Sequence, residues 1–415
     1  AAWRQTRVAR GRRGADNGCP KGGGLKAVDV VVLGGGAAGL MCAIEAGRRG
    51  RRVLVLERSE KVGKKILISG GGRCNFTNLN AGPHAYQCAN PHFHKSALAR
   101  YTPHDFVALV EAHGVPYHEK KLGQLFCDDT SRPIVEVLLR ECAPAGVGVR
   151  CNAAVAGVEG GPPFEVRTQG EAVVAERLVV ATGGLSIPRM GATGFGHELA
   201  RQFGLALTER TAGLVPFVLG EAELSALDGL AGVSLDAEVA CNGASFRENV
   251  LVTHRGLSGP AILQISSYWR PGETVTLDLL PGQRLEALIE RRRAENDRQE
   301  VKTLLGEALA KRFVQRAFEW GLPNKPLRQL NARDVEALAG FFHGWRVRPA
   351  GTEGYRTAEV TLGGVDTDGV SSKTFESKTT PGLYFIGEVL DVTGWLGGYN
   401  LHWAWASGWC AGQAV

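Results

Sequence analysis

Residues 28–33 (VDVVVL) run directly into Gly34-Gly35-Gly36, and no other stretch constrains the fold of this chain as tightly. A continuous β-branched run predicts a strand buried on both faces, as in a parallel sheet. Residues 37–49 follow with Leu40, Ala43 and Ile44 facing inward, and with Arg48 and Arg49 at the end where a helix dipole favours cations. Residues 53–56 (VLVL) read as a second apolar strand. Strand, glycine turn, helix and strand make a βαβ unit of about 30 residues. Within it Gly34, Gly36 and Gly39 have the Gly-x-Gly-x-x-Gly spacing. The first allows a tight turn, the second lets backbone approach a pyrophosphate, and the third lets helix and strand pack closely. Glu57 ends the second strand, where an acid accepts hydrogen bonds from an adenosine ribose and disfavours a 2′-phosphate. The expected ligand is therefore FAD or NAD rather than NADP.

At 415 residues the chain is long enough for about two to three domains. Its net charge of +6 is concentrated at one end. Residues 1–27 hold seven Lys/Arg and one acid; removed from 48 and 42, these leave 41 of each. The tail is expected to be a disordered basic extension, since it lacks the apolar run a secretory signal needs. A neutral body argues against a nucleic-acid partner. Nine scattered cysteines with no C-x-x-C exclude a zinc or disulfide framework and fit a reduced, cytoplasmic protein, with no metal expected. Without about 18 consecutive apolar residues, no membrane span is expected either. Oligomeric state is left open.

Further strands are predicted over 147–158, 164–168 and 177–181, the last stopping at Thr182-Gly183-Gly184. Composition changes near Gly213: short strands and turns continue to about residue 281, and residues 283–342 turn helical and charge-rich. Strand signals return at 383–386 (LYFI). The expected fold class is α/β: a Rossmann-like FAD/NAD(P)-binding domain (28–212 and 351–415) interrupted by an inserted β-rich plus helical domain (213–350).

Signals at both ends favour FAD over NAD. Residues 178–184 (LVVATGG) have the form of a strand end passing beside a dinucleotide, and Gly387-Glu388 follows a late strand where flavoproteins place an acid on the ribityl chain. Asp is commoner there, so Glu388 is a departure. No second strand–glycine–helix unit occurs, and Gly191, Gly194 and Gly196 have the wrong order; NAD(P)H would have to dock transiently as reductant. The run from Ser69 through Gly70, Gly71, Gly72, Arg73, Cys74 and Asn75 to Thr77 and Asn78 exposes successive N–H groups in a nest. Arg73 is expected on a phosphate, Asn75 and Asn78 on the isoalloxazine edge, and Cys74 as a small packed residue rather than a reactive thiol. Gly397-Gly398 opens a small-residue helix beginning at Tyr399 and Asn400, whose N-terminus faces a negative ring edge. Gly35, Ala37, Ala38, Arg58, Lys64, Val155 and Ala181 complete the expected cofactor contacts. In the insert, the loop from Thr253 to Pro260 either projects His254 and Arg255 over the flavin or is a structural turn with solvated charges.

The stretches SGGGRCNFTN, ATGGLSIPRMGATGFG, THRGLSGP and GEVLDVTGWLGGYN resemble the BaiN/YhiN-like family of FAD-dependent oxidoreductases, from about Val28 to the C-terminus. The resemblance implies FAD held by the Gly34–Gly39 turn, Glu57, the 70–78 loop, the 182–184 turn and the 387–400 segment, with an insert over roughly 213–350. It also implies reduction of carbon–carbon double bonds in steroid-like substrates. Position 402 departs from the family pattern, with His where Gln is usual. The expected function is an NAD(P)H-linked FAD oxidoreductase passing hydride from flavin N5 to a small organic acceptor, such as an activated alkene. His254, Arg255, Tyr399 and His402 are its candidate catalytic residues. Two alternatives stand beside it: a flavin-dependent tRNA-modifying enzyme, and a non-catalytic FAD-binding redox protein.

Overall fold

A computed structural model describes residues 26–295 and 298–415; the basic tail lies outside the described residues apart from its last two positions. The strand expected at 28–33 spans Lys26–Leu33, and its parallel neighbours are Val53–Leu56 on one side and Ala172–Val180 on the other. Gly148–Arg150 extends the sheet beyond Val53–Leu56, also in parallel. On its other edge the Ala172–Val180 strand serves two partners. Its first half pairs antiparallel with Phe164–Thr168, and its second half pairs parallel with Leu383–Phe385 from the far end of the chain. Together with Val155–Gly160 these make a seven-stranded sheet. The single strand expected over 147–158 is two strands, because Asn152 takes a left-handed φ of +55° and breaks the run.

The continuous apolar strands are buried on both faces, as their lack of alternation requires. One face is covered by the Ala37–Arg48 helix, which lies against the C-terminal Tyr399–Gly412 helix. Both are rich in small residues, so their backbones approach closely: a Cβ on Gly408 would sit 2.4 Å from the Ala38 carbonyl oxygen.

Residues 217–347 supply a separate hydrophobic core. It lies on a seven-stranded antiparallel sheet whose long central pair is Ser234–Cys241 with Ala244–Val252. Helices Leu285–Ala294, Val301–Ala308, Lys311–Glu319 and Ala332–Phe342 occupy the region expected to be helical. The sheet of this block reaches Thr352, two residues beyond the expected boundary, through the Gly351–Thr352 strand. Chain entry and exit are tied together where Thr211–Gly213 pairs antiparallel with Val360–Leu362.

Candidate functional site

The parallel strands end on one edge of the sheet, and the glycine motifs are the turns that leave that edge. Ligands in open α/β sheets bind at such carboxyl ends. Gly34 has φ +108°, and Gly39 permits the helix to rest on it, since a Cβ there would lie 2.0 Å from the Gly34 carbonyl oxygen. Gly36 differs: a Cβ added there meets nothing within 4 Å, so the turn opens on free space at the helix N-terminus. Glu57 is fixed at the neighbouring strand end, with Oε2 accepting from Gly35 N at 2.8 Å and Oε1 from Ser59 N at 2.8 Å. Backbone bonds from Asn152 to Ser59 and from Ala153 to Glu57 carry the chain past this corner to Val155. Arg58 is exposed, and Lys64 pairs with Glu60 at 3.2 Å.

The Lys64–Gly72 helix breaks at Ser69, and Gly70, Gly71 and Gly72 all take positive φ. Open space lies beside Gly71 and Gly72, as beside Gly36. The two asparagines expected on a flavin edge are instead spent on the protein. Asn78 Nδ2 donates to Leu122 O at 3.2 Å and to Gly397 O at 2.8 Å. Asn75, in the amide orientation that satisfies both ends, donates to Leu125 O and Thr77 O and accepts from Gly398 N. Buried amides must find partners, and here those partners staple the loop to the start of the last helix. Cys74 is fully buried, and burial pushes its thiol up to about 12, which leaves it unreactive. Arg73 is exposed and lies 6.0 Å from the Phe126 ring centroid.

The two ends of the chain meet at this edge. A Cβ on Gly387 would stand 2.9 Å from Ala38 Cβ, and Trp405 Nε1 donates to Phe76 O at 2.8 Å. Gly398 caps the Tyr399–Gly412 helix at φ +97°, so close to Thr77 O that a side chain would clash at 2.4 Å. Asn400 is occupied in shaping the turn, bonding Gly394 N and O at 2.8 Å each. Tyr399 is buried, and burial raises its phenol pKa, so it keeps its proton. His402 requires a correction as a catalytic candidate. Its side chain is fully buried, Nδ1 shares a 3.0 Å hydrogen bond with Thr77 Oγ1, and desolvation lowers its pKa to about 4. It is a neutral imidazole inside the core, without access to a substrate.

Lys65, Ser186, Tyr355 and Glu359 escaped the reading of the sequence, and three of them gather around Glu388, the acid expected on the ribityl chain. Glu388 Oε2 pairs with Lys65 Nζ at 2.7 Å, while Oε1 accepts from Ser186 Oγ at 3.1 Å and Thr361 N at 3.0 Å. Lys65 stands in a charged run and is 323 positions from Glu388, so no local signal marks the pair. Around the 182–187 turn, Thr182 Oγ1 and the Tyr355 hydroxyl are buried without hydrogen-bond partners among the described residues. Desolvation lowers the His197 pKa to about 4. Desolvation raises the carboxyl pKa of Glu359, whose backbone carbonyl accepts from Ser186 Oγ at 3.1 Å.

In the insert, His254 is exposed and has no hydrogen bond among the described residues, and Arg255 lies 3.6 Å from Glu353. The segment just after the insert, which carries Glu353, reaches the 182–187 turn where Ile187 N donates to Tyr355 O at 2.8 Å. The insert also touches the start of the last helix: Trp395 Nε1 donates to Tyr268 Oη at 2.8 Å, and Leu396 N to Gln264 Oε1 at 2.9 Å. A cleft of about 440 Å³ beside Gly50, Arg51 and Arg52 lies at the opposite edge, where the strands begin, and has no part in this site.

Glycines that open on empty space, a fixed acid at the neighbouring strand end and unpartnered polar atoms along the third turn form a cradle fitted to a dinucleotide. The family described as HI0933-like protein Rossmann domain matches residues 28–414. The chain belongs to that family. Its relatives include proteins named ribosomal RNA dihydrouridine synthase from Escherichia coli (53% identical, covering 94% of this chain and 98% of the relative) and Haemophilus influenzae (47% identical, 93% and 98%). A 3-dehydro-bile acid delta(4,6)-reductase from Clostridium scindens is 31% identical over 93% of this chain and 98% of its own. The α/β Rossmann fold and the flavoprotein oxidoreductase class expected from the sequence stand with this membership. Among the described residues no helix is long and apolar enough to cross a membrane.

Proposed function

We propose that this chain is a FAD-dependent reductase that saturates a carbon–carbon double bond conjugated to a carbonyl, and that its substrate is the C5=C6 bond of a uracil in ribosomal RNA. One observation carries the choice of substrate: 53% identity over 94% of this chain and 98% of a relative named for that reaction. The bile acid reductase supports the same chemistry, because its name also describes reduction of double bonds in a carbonyl compound. In a uracil, hydride would add to C6, the carbon β to the C4 carbonyl, and a proton to C5, the α carbon.

In this reading the Gly34–Gly39 turn and the following helix N-terminus hold the FAD pyrophosphate, and Glu57 the adenosine ribose. The Gly70–Gly72 nest, the Thr182–Gly184 turn and the Gly397–Gly398 helix start hold the remainder. FAD, when bound, supplies the hydride, with NAD(P)H as the proposed reductant. The chain's own task is to orient the ring, exclude water and deliver one proton. With His402 neutral and sealed, we assign the proton to His254 on the insert loop, with the Tyr355 hydroxyl as the second candidate. The neutral body of the chain weighed against RNA, but phosphate contacts depend on local clusters of cations rather than on net charge.

The test is anaerobic incubation with NADH or NADPH and deproteinised ribosomal RNA from a strain lacking the enzyme, followed by mass spectrometry of the nucleosides. Dihydrouridine should accumulate. Its absence with both reductants, together with turnover of a steroid enone, would replace RNA with a small-molecule substrate.

A further inference from the structure

The described residues include four exposed large apolar side chains: Ile68 (41%), Leu79 (37%), Leu122 (60%) and Leu139 (40%). Three of them come from the glycine-loop segment and the hairpin packed beside it. Leu122 is the most exposed and stands at the tip of the hairpin formed by Tyr117–Glu119 and Gln124–Cys127. Its backbone is held at φ +53°, a conformation a bulky residue adopts only when its surroundings enforce it. The enforcement is visible: Leu122 O accepts from both Asn78 Nδ2 and Asn80 Nδ2 at 3.2 Å, and Leu79 N donates to Gly123 O at 2.8 Å. Leu79 therefore adjoins Leu122 at the tip.

Two further ties fix where the tip stands. Asn78 Nδ2 also donates to Gly397 O, so the Leu122 carbonyl and the start of the Tyr399–Gly412 helix share one amide nitrogen. Lys121 is ion-paired with Glu248 of the insert, anchoring the tip to the second core as well. Lys120 lies 5.4 Å from the Phe126 ring centroid, and Arg73 6.0 Å from the same centroid. A rigid apolar point thus projects into solvent beside the cofactor cradle, with cations at its base.

From this we infer that Leu122 is a wedge that enters the base stack of folded RNA and holds open the place vacated by the reduced uracil, while Lys120 and Arg73 take the flanking phosphates. This rests on the ribosomal RNA reading above and deepens it. A uracil stacked in a helix cannot lay C6 against a flavin, so an enzyme acting there must extrude the base. Apolar side chains such as Leu are the usual wedges between base steps. A solvent-exposed leucine held in a strained conformation serves packing poorly, because it buries little of its own surface.

The experiment compares wild type with Leu122→Ala, Leu122→Asp and Leu122→Met on deproteinised ribosomal RNA, with Leu139→Ala as an exposed-leucine control. Dihydrouridine is counted by mass spectrometry, and 2′-hydroxyl acylation maps nucleotides opened in the bound RNA at saturating protein. We expect Ala and Asp to slow turnover at least about tenfold and to abolish the opened nucleotides around the target, Met to restore both, and the control to match wild type. Equal rates and equal acylation patterns for wild type, Ala and Asp would overturn the wedge while leaving the RNA substrate standing. A wild type that forms no dihydrouridine would remove that substrate and the wedge with it. An unchanged flavin spectrum in each variant shows that its fold is intact.

Discussion

Gly36 and Gly39 sit three residues apart in one motif, yet the structure gives them opposite roles, and substituting each with alanine separates cofactor binding from folding. Gly36 has φ −85° and ψ −169°, ordinary extended backbone open to any residue, and its added methyl would touch no protein atom within 4 Å. Gly36→Ala should therefore leave the stability of the cofactor-free protein within about 1 kcal/mol of wild type. The methyl would point into the space where a pyrophosphate must come within hydrogen-bond distance of the helix N-terminus. Losing one or two charge-assisted bonds of about 1.5–3 kcal/mol each predicts FAD binding weaker by at least about tenfold. Gly39→Ala places its methyl 2.0 Å from Gly34 O and 3.2 Å from Ala181 Cβ, so strand and helix must separate. That overpacking should cost about 1–3 kcal/mol or more. Urea denaturation of the cofactor-free proteins and fluorescence titration with FAD measure the two effects. The reasoning is refuted if Gly36→Ala binds FAD within about threefold of wild type, or if its urea midpoint falls as far as that of Gly39→Ala.

Acid should destabilise the protein through His197 and His402, both buried with pKa lowered to about 4 by desolvation. Above pH of about 6.5 each is neutral in both states; as pH falls towards 4 the unfolded chain takes up protons first, so stability drops by about 3 kcal/mol per histidine. His402→Gln keeps a partner for Thr77 without titrating, and should remove about half of that pH dependence in urea midpoints measured from pH 7 to 4. A double-mutant cycle of Lys65→Met with Glu388→Gln should return a coupling of about 1 kcal/mol, modest because both groups are partly in water; additive losses would show the pair to be incidental. His254→Ala and Tyr355→Phe should be compared in single turnover. The proton donor is the residue whose loss slows product formation without slowing flavin reduction, followed as bleaching near about 450 nm by NADH or NADPH.

The sequence alone determined the βαβ unit and the turns that follow Leu33, Val180 and Phe385, because unbroken apolar runs and glycine spacing are local consequences of burial and backbone sterics. The change of texture near Gly213 was legible for the same reason, since alternating strands and charged helices carry their periods within a few residues. Local pattern could not show how each polar side chain is spent. Asn75 and Asn78 look like cofactor ligands in a glycine-rich run, but the fold sets them against the start of the last helix, where their amides hold two segments together. His402 looks like an acid beside a flavin until Thr77 and the core close around it. Lys65 and Glu388, and the strained tip at Leu122, likewise exist only after distant segments meet. A hydrogen bond or a desolvated charge is a property of two surfaces brought together, and only the tertiary structure decides which surfaces those are.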